Sequence, residues 1–208
     1  MSIELSPKVN VGFIASHGGS GMKAILEAIQ QGLNANATVF IGNNEKASAF
    51  TIAKQHNLAT YHLSSKTHQD PEQLDHAISS SLEQHNVELI VLSGYMKKLG
   101  PMTLAKFKNR ILNIHPSLLP KYGGKGMYGD YVHQAVITNQ DHESGASVHI
   151  VTAEYDQGPI LKQKKVVLEE QETVATLRKK VKNIEGQLYV VTLAAIINGE
   201  ILLGDLTE

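Results

Sequence analysis

Two polar residues, Asn113 and His115, lie two positions apart at the end of an apolar run. Side chains at alternate positions of an extended strand project from the same side, so both groups would face one space. An amide and an imidazolium can each donate a hydrogen bond to an oxyanion that forms on a carbonyl carbon. The spacing therefore indicates a site suited to acyl transfer.

An acidic turn further along the chain, residues 154–159, could supply the carboxylate of Asp156 to this pair. A carboxylate beside His115 would raise the pKa of the imidazole and orient it, which would keep it available as a proton donor. A histidine that ends a strand often has only a structural role, and the pattern alone leaves that alternative open. Open α/β sheets bind ligands at the carboxyl ends of their strands, which favours the functional interpretation.

A glycine-rich segment, residues 18–21, separates the first predicted strand from the first predicted helix. Glycines let backbone N–H groups approach an anion closely, and a helix N-terminus adds a partial positive charge. Ser20 is the predicted N-cap of that helix. The glycine signatures of dinucleotide and nucleoside triphosphate sites are absent, so the segment is either an anion-binding loop or a tight turn with a capping serine.

The remaining polar residues give weaker signals. His149 alternates with apolar neighbours, so it faces the opposite side of its strand and either lines the same cleft or is polar surface. His133 falls on a predicted helix, and Glu185 falls on a long helix where a surface position is the default. The 10 histidines show no metal-ligand spacing, so we predict no metal site.

The composition limits the class of protein. The 208 residues with 42% hydrophobic content fit one packed domain, and a formal net charge of -1 gives no argument for binding nucleic acid or a membrane surface. The absence of cysteine fits a reducing compartment. Residues 1–8 lack a basic region followed by an apolar core, and no apolar run is long enough to span a bilayer. We therefore expect a cytoplasmic protein.

The hydrophobic pattern alternates between short apolar runs and helical periodicity, which favours βαβ units and a mostly parallel sheet. The predicted strands are 9–14, 37–41, 58–63, 88–92, 110–115, 146–152 and 160–168. A first helix is predicted directly after the glycine-rich segment. Further helices are predicted at 47–56, 71–84, 128–138 and 173–198, the last with a possible interruption at Gly186. A short Gly-Pro turn joins the last two strands, so they should be antiparallel.

Three segments together carry a resemblance to a known family. They are Asn-Ile-His-Pro-Ser-Leu-Leu-Pro-Lys-Tyr at 113–122, Ser-Gly-Ala-Ser-Val-His-Ile-Val-Thr at 144–152 followed by Asp-Gln-Gly-Pro-Ile, and Ile-Ala-Ser-His-Gly-Gly-Ser-Gly at 14–21. From about residue 9 through the last helix, the chain closely resembles the phosphoribosylglycinamide formyltransferases, folate-dependent enzymes of purine synthesis. The resemblance implies a Rossmann-like open sheet, mostly parallel in its N-terminal half, with antiparallel strands added C-terminally and helices on both faces.

The resemblance also implies a reaction and a catalytic trio. A formyl group would pass from 10-formyltetrahydrofolate to the amine of phosphoribosylglycinamide by direct attack, without a covalent enzyme intermediate or a metal. Asn113, His115 and Asp156 match the family's catalytic residues. His115, protonated and supported by Asp156, would stabilise the oxyanion and donate the proton, while Asn113 would orient the formyl group.

Further residues are carried over by motif. The residues that match the substrate-binding positions are Gly19, Ser20, Gly21 and Glu185. The residues that match the walls of the folate pocket, beside Asn113, are Met96, Lys97, Lys98, Leu99, Thr152, Ala153, Glu154, Tyr155 and Asp156. Within a single domain, 1–208, a phosphate- and substrate-binding half would span about 9–112 and a catalytic and folate-binding half about 113–208. The resemblance leaves open whether the protein is a monomer or a homodimer.

The chain departs from the family pattern at four places. Gly21 stands where Asn is common, and Lys97 replaces a frequent Arg. No basic residue toward the folate tail is found around Pro71, and residues 123–130 read Gly-Gly-Lys-Gly-Met-Tyr-Gly-Asp in place of a Pro-Gly form. These differences bear on affinity more than on chemistry, because the trio is intact.

Other functions remain as alternatives. Formyltransferases for initiator methionyl-tRNA or amino sugars share the trio, as does the hydrolase that releases formate. A tRNA-acting enzyme would be expected to carry an added basic domain, and the hydrolase an extra N-terminal regulatory domain. A folate- or phosphate-binding module without catalysis is the alternative from a different class, although binding alone would not need all three residues of the trio.

Overall fold

A single sheet organises the chain. The computed structural model describes residues 8–206, so residues 1–7 of the N-terminal segment lie outside the described residues. The strands are β1 (Val9–Ala15), β2 (Ala35–Gly42), β3 (Ala59–His62), β4 (Leu89–Leu92), β5 (Ile111–His115), β6 (Glu143–Ile150) and β7 (Ile160–Val167). Their order is β3-β2-β1-β4-β5-β6-β7, parallel from β3 to β5 and antiparallel at β6 and β7. The predicted fold class is confirmed.

Helices cover both faces of this sheet. They are α1 (Ser20–Gln30), α2 (Ala49–Gln55), α3 (Pro71–Gln84), α4 (Pro101–Lys106), α5 (Asp130–Thr138) and α6 (Val174–Ile197). One core contains apolar side chains of α1, α2, α5 and α6, and the other contains those of α3. Strand residues alternate between the two cores, as Phe13 and Ile14 do, which is why the parallel strands read as continuous apolar runs. Within the described range, no helix has both the length and the apolar character needed to cross a membrane.

The last helix is continuous at Gly186, so the interruption predicted there is wrong. Gly186 lies inside α6, and a Cβ built on it would meet the Cβ of Ala24 in α1 at 2.9 Å. The glycine therefore allows α1 and α6 to pack closely and does not end a helix.

Helix α4 was not predicted, because the signal that starts it comes from another helix. Asp75 of α3 is buried, and its carboxylate accepts hydrogen bonds from the backbone N–H of Met102 at 2.7 Å and of Thr103 at 3.1 Å. The hydroxyl of Thr103 also donates to this carboxylate. These contacts satisfy N–H groups in the first turn of a six-residue helix, as a local N-cap would. They also fix the chain just after residues 96–99.

Replacing Asp75 with Ala should lower the free energy of unfolding by about 2–3 kcal/mol, because three donors in the first turn of α4 lose their buried acceptor. Urea unfolding, followed by circular dichroism, measures the change as a shift in midpoint at constant slope. The exposed Gln73→Ala variant on the same helix is the control. Equal midpoints for the two variants would contradict a capping role for Asp75.

Candidate functional site

The three residues of the predicted trio lie in one cluster. The Nδ1 of His115 is 3.4 Å from Oδ2 of Asp156, and the other oxygen of that carboxylate is 3.5 Å from Nε2 of His149. The amide nitrogen of Asn113 is 3.1 Å from the same Nε2. The two histidines are only 3% and 2% exposed. The cluster therefore consists of Asn113, His115 and Asp156 with His149 as a fourth member.

Strand pairing explains why His149 belongs to this cluster. Asn113 of β5 lies directly opposite His149 of the antiparallel strand β6, so their side chains lie on the same face of the sheet. The Nδ1 of His149 is 2.9 Å from the carbonyl of Ile150, which can only accept, so Nδ1 carries the proton. The Asn113 amide and the Asp156 carboxylate both face Nε2 of the same ring. Of the two alternatives for His149, lining the cleft is confirmed and surface exposure is wrong.

The orientation of His115 is fixed by a backbone carbonyl. Its Nε2 lies 2.7 Å from the carbonyl oxygen of Tyr122, so Nε2 is protonated and donates. Its Nδ1 therefore faces Asp156. The backbone N–H of Gly124 donates to Oδ2 of Asp156 at 3.0 Å. Sequence reasoning missed Tyr122 and Gly124 because both act through backbone atoms. The only sequence signal for these contacts was the glycine pair at 123–124.

Burial governs the pKa values of this cluster. Burial lowers the pKa of His115 and outweighs the opposite effect of the Asp156 carboxylate, so the pKa lies below its ordinary value of 6.5. Burial raises the pKa of Asp156, but the contacts with His149, His115 and the Gly124 N–H together lower it below its usual range. Asp156 is thus ionised and His115 is neutral in the free chain at neutral pH. The prediction that His115 is protonated and supported by Asp156 does not hold for the free chain, because burial has the larger effect on the pKa.

The glycine-rich segment forms the start of α1. Gly19, with φ of 63°, occupies the N-cap position, and Ser20 is the first helical residue, so the predicted capping role of Ser20 is wrong. The backbone N–H of Met22 donates to the hydroxyl of Ser93 at 3.0 Å. Within the described residues the N–H groups of Ser20 and Gly21 have no acceptor in the protein. They are therefore available to an anion at the end of an 11-residue helix.

The position of Gly21 has a packing reason. A Cβ at this residue would lie 2.9 Å from ring atoms of Tyr189, which is fully buried and donates its hydroxyl to the carbonyl of Leu92. A side chain at position 21 would have to displace this ring. Glu185 lies one helical turn before Tyr189, and its side chain is only 13% exposed although Lys182 pairs with it at 2.9 Å. Glu185 therefore belongs to the surroundings of the loop, and the default expectation of a fully exposed residue is not met.

The two segments expected to form the folate pocket approach each other. The ammonium group of Lys98 lies 5.5 Å from the ring centroid of Tyr155. The backbone N–H of Met96 donates to the hydroxyl of Ser16 at 2.8 Å, which ties this segment to the end of β1. Beside it lies a cleft of about 850 Å³. Its charged lining residues are Lys46, Lys66, Lys97, Lys98, Glu45 and Asp75. In residues 8–206 no group of three or more His, Asp or Glu side chains is arranged to hold a metal ion.

A third buried histidine lies near the cluster. His133 of α5 is 3% exposed, and its Nδ1 is a buried atom without a hydrogen-bond partner among the described residues. Burial lowers its pKa, against the raising effect of Asp130. Like His115, it is therefore held in the neutral form by the fold.

Stability should fall as the pH drops below about 6.5, the ordinary histidine pKa. In the unfolded chain His115 and His133 bind protons from that pH downward, whereas in the folded chain they do so only at lower pH. The unfolded state then holds more protons, so stability is complete above this window and is lost through it. Replacing His133 with Leu should reduce the loss in free energy of unfolding between pH 7.5 and 5.5. Urea titrations at both pH values measure this loss, and the exposed His76→Leu variant is the control. An unchanged pH dependence in the His133 variant would contradict a buried His133 that is held neutral by the fold.

Comparison with known proteins identifies the family of the chain. The sequence model of the family described as formyl transferase matches residues 9–193. The phosphoribosylglycinamide formyltransferase of Escherichia coli (strain K12) is 31% identical over 93% of this chain and 89% of its own length. The chloroplastic phosphoribosylglycinamide formyltransferase of Vigna unguiculata is 35% identical over 90% of this chain, which spans only 60% of that relative. The structure of glycinamide ribonucleotide transformylase 1 from Symbiobacterium toebii has a TM-score of 0.89 at 27% identity and covers 97% of this chain and 94% of its own. The chain belongs to the formyl transferase family.

Proposed function

We propose that this protein transfers a formyl group from 10-formyltetrahydrofolate to the amine of phosphoribosylglycinamide. The observation that supports it most is the buried cluster in which Asp156 contacts His115 and His149 while Asn113 lies against His149. Burial of several polar groups is costly unless they are mutually satisfied, so a cluster of this kind is typical of a chemical site. The relatives named above carry this activity in their names.

The reaction begins with attack of the substrate amine on the formyl carbon. A carbon–nitrogen bond forms, the carbonyl electrons move to oxygen, and the result is an oxyanion beside a protonated amine. An amide N–H of Asn113 is the donor proposed for this oxyanion. Because Nε2 of His115 is held by Tyr122, Nδ1 becomes a second donor once it has taken up a proton. The bond to N10 of the folate then breaks, and N10 receives a proton.

The proton for N10 comes from the attacking amine. His115 is neutral in the free chain, so it can accept this proton as the tetrahedral intermediate forms and pass it to the leaving nitrogen. The ionised Asp156 stabilises the imidazolium during that interval. No nucleophile of the protein and no covalent intermediate is required.

The same proposal assigns the binding surfaces. The phosphate of the substrate would accept from the N–H groups of Ser20 and Gly21, with Glu185 toward the glycinamide portion. The folate would lie between residues 96–99 and 152–156. The cleft of about 850 Å³, in which four lysines outnumber the carboxylates of Glu45 and Asp75, suits its anionic glutamate tail. Residues 9–112 and 113–208 would thus form the substrate-binding and catalytic halves. A cytoplasmic location and a monomeric or dimeric state stay predictions.

Purified protein should release 5,8-dideazafolate from 10-formyl-5,8-dideazafolate only when phosphoribosylglycinamide is present, as measured by absorbance. Replacing His115 with Ala should lower kcat by about 10²–10⁴, since the proton carrier and an oxyanion donor are both lost. Replacing Asn113 with Ala should lower it by about 10²–10³. The exposed His76→Ala variant is the control.

The assay also separates the alternatives. Product released without the amine would identify a hydrolase, and no turnover under either condition would identify a binding module. A folded His115→Ala protein with the wild-type rate would overturn the mechanism while leaving the overall reaction open.

A further inference from the structure

The carbonyl of Tyr122 that holds His115 belongs to a residue in a strained conformation. Tyr122 has φ of 58°, in the left-handed region that side-chain-bearing residues seldom adopt. This conformation persists only where the surroundings impose it. The direction of the carbonyl, and with it the proton position on His115, therefore depends on whatever anchors Tyr122.

Residues 116–121, which lie between β5 and Tyr122, are anchored to the sheet. The hydroxyl of Ser147 in β6 accepts from the backbone N–H of Leu119 at 2.9 Å and donates to the carbonyl of Ser117 at 2.6 Å. Gln163 of β7 donates to the carbonyl of Leu119 at 3.0 Å. The hydroxyl of Ser117 donates to the carbonyl of Lys121 at 2.6 Å, and the N–H of Gly123, in the same peptide group as the Tyr122 carbonyl, donates to the carbonyl of Pro120 at 3.3 Å. None of these contacts holds the side chain of Tyr122.

Asp141, in the turn between α5 and β6, holds the side chain of Tyr122. Its carboxylate accepts from the hydroxyl of Tyr122 at 2.8 Å and from the ammonium of Lys121 at 2.7 and 2.8 Å. Asn139 donates to it at 2.7 Å. The Asp141 side chain is 14% exposed and is held from three sides, so it is a fixed point for the Tyr122 ring.

We propose that Asp141 is a positioning residue for the reaction, acting on His115 through Tyr122. The path runs from the Asp141 carboxylate to the Tyr122 phenol, through the left-handed backbone to the carbonyl, and from there to Nε2 of His115. With Nε2 protonated, Nδ1 is left free to exchange a proton with the reacting groups. This inference rests on the proposed formyl transfer, but its structural part concerns the free protein.

Loss of the anchor would change the proton position on His115. If the Tyr122 carbonyl turned away, Nε2 would lose its acceptor, and a proton on Nδ1 would instead gain the Asp156 carboxylate at 3.4 Å. The neutral ring would then carry its proton on Nδ1, the nitrogen that must be unprotonated to accept a proton from the reacting groups. A merely structural role for Asp141 would lower stability without changing this tautomer.

The experiment uses Tyr122→Phe and Asp141→Ala in the full-length protein. Long-range ¹H–¹⁵N correlation spectra at neutral pH should show His115 protonated at Nε2 in the wild type and a mixture of tautomers in both variants; a His115→Gln spectrum assigns the signal. Both variants should lose about tenfold in kcat with KM for each substrate within about twofold, as expected for one lost hydrogen bond in a positioned network. Asp141→Asn keeps an oxygen that can accept from the Tyr122 hydroxyl and should stay within about threefold of wild-type kcat.

Lys165→Met, which removes a surface ion pair with Glu143 on β6 and β7, is the matched control and should leave both readouts unchanged. An Nε2-protonated His115 in folded Tyr122→Phe and Asp141→Ala proteins would overturn the positioning role, whatever their activity. If Asp141→Ala does not fold, Tyr122→Phe decides alone. A wild type without formyl transfer but with the expected tautomer change in the variants would overturn the proposed function and leave the positioning intact.

Discussion

The site depends on one carboxylate placed between two buried histidines. The oxygens of Asp156 lie 3.4 Å from His115 and 3.5 Å from His149, and the backbone of Gly124 donates to one of them. An ionised group with so little exposure is stable only if such partners surround it, so these contacts must form together. That requirement fixes the loop after β6, the loop after β5 and the pairing of the two strands relative to each other.

The electrostatics of the cluster follow from competition between burial and charge. For Asp156 the neighbouring donors prevail and the group is ionised, whereas for His115 burial prevails and the ring is neutral. A neutral imidazole next to an ionised carboxylate is poised to take up a proton once another negative charge develops nearby. The same burial that keeps His115 neutral in the free site therefore makes the site responsive to an oxyanion, because charges interact strongly where water is excluded.

Sequence patterns were sufficient for features that depend on side-chain type along one segment. The apolar alternation predicted the sheet, and the spacing of Asn113 and His115 predicted a shared face, because both are consequences of strand geometry. Patterns failed where a distant segment supplies the interaction, as with Asp75 at the start of α4. Sequence patterns also failed where backbone atoms act, as at Tyr122, because the residue type does not reveal the direction of a backbone carbonyl.

The reversal of strand direction after β5 is what gives the site its support. A parallel strand in the place of β6 would end at the same edge as β5 and would offer the site mainly the loop that follows it. The antiparallel strand instead runs past His115, so its residues lie opposite β5 along the whole site. Ser147, opposite His115, holds the segment after β5, and His149, opposite Asn113, holds the amide. One change in strand direction thus converts a ligand-binding sheet edge into a buried cluster whose donors are oriented from the sheet itself.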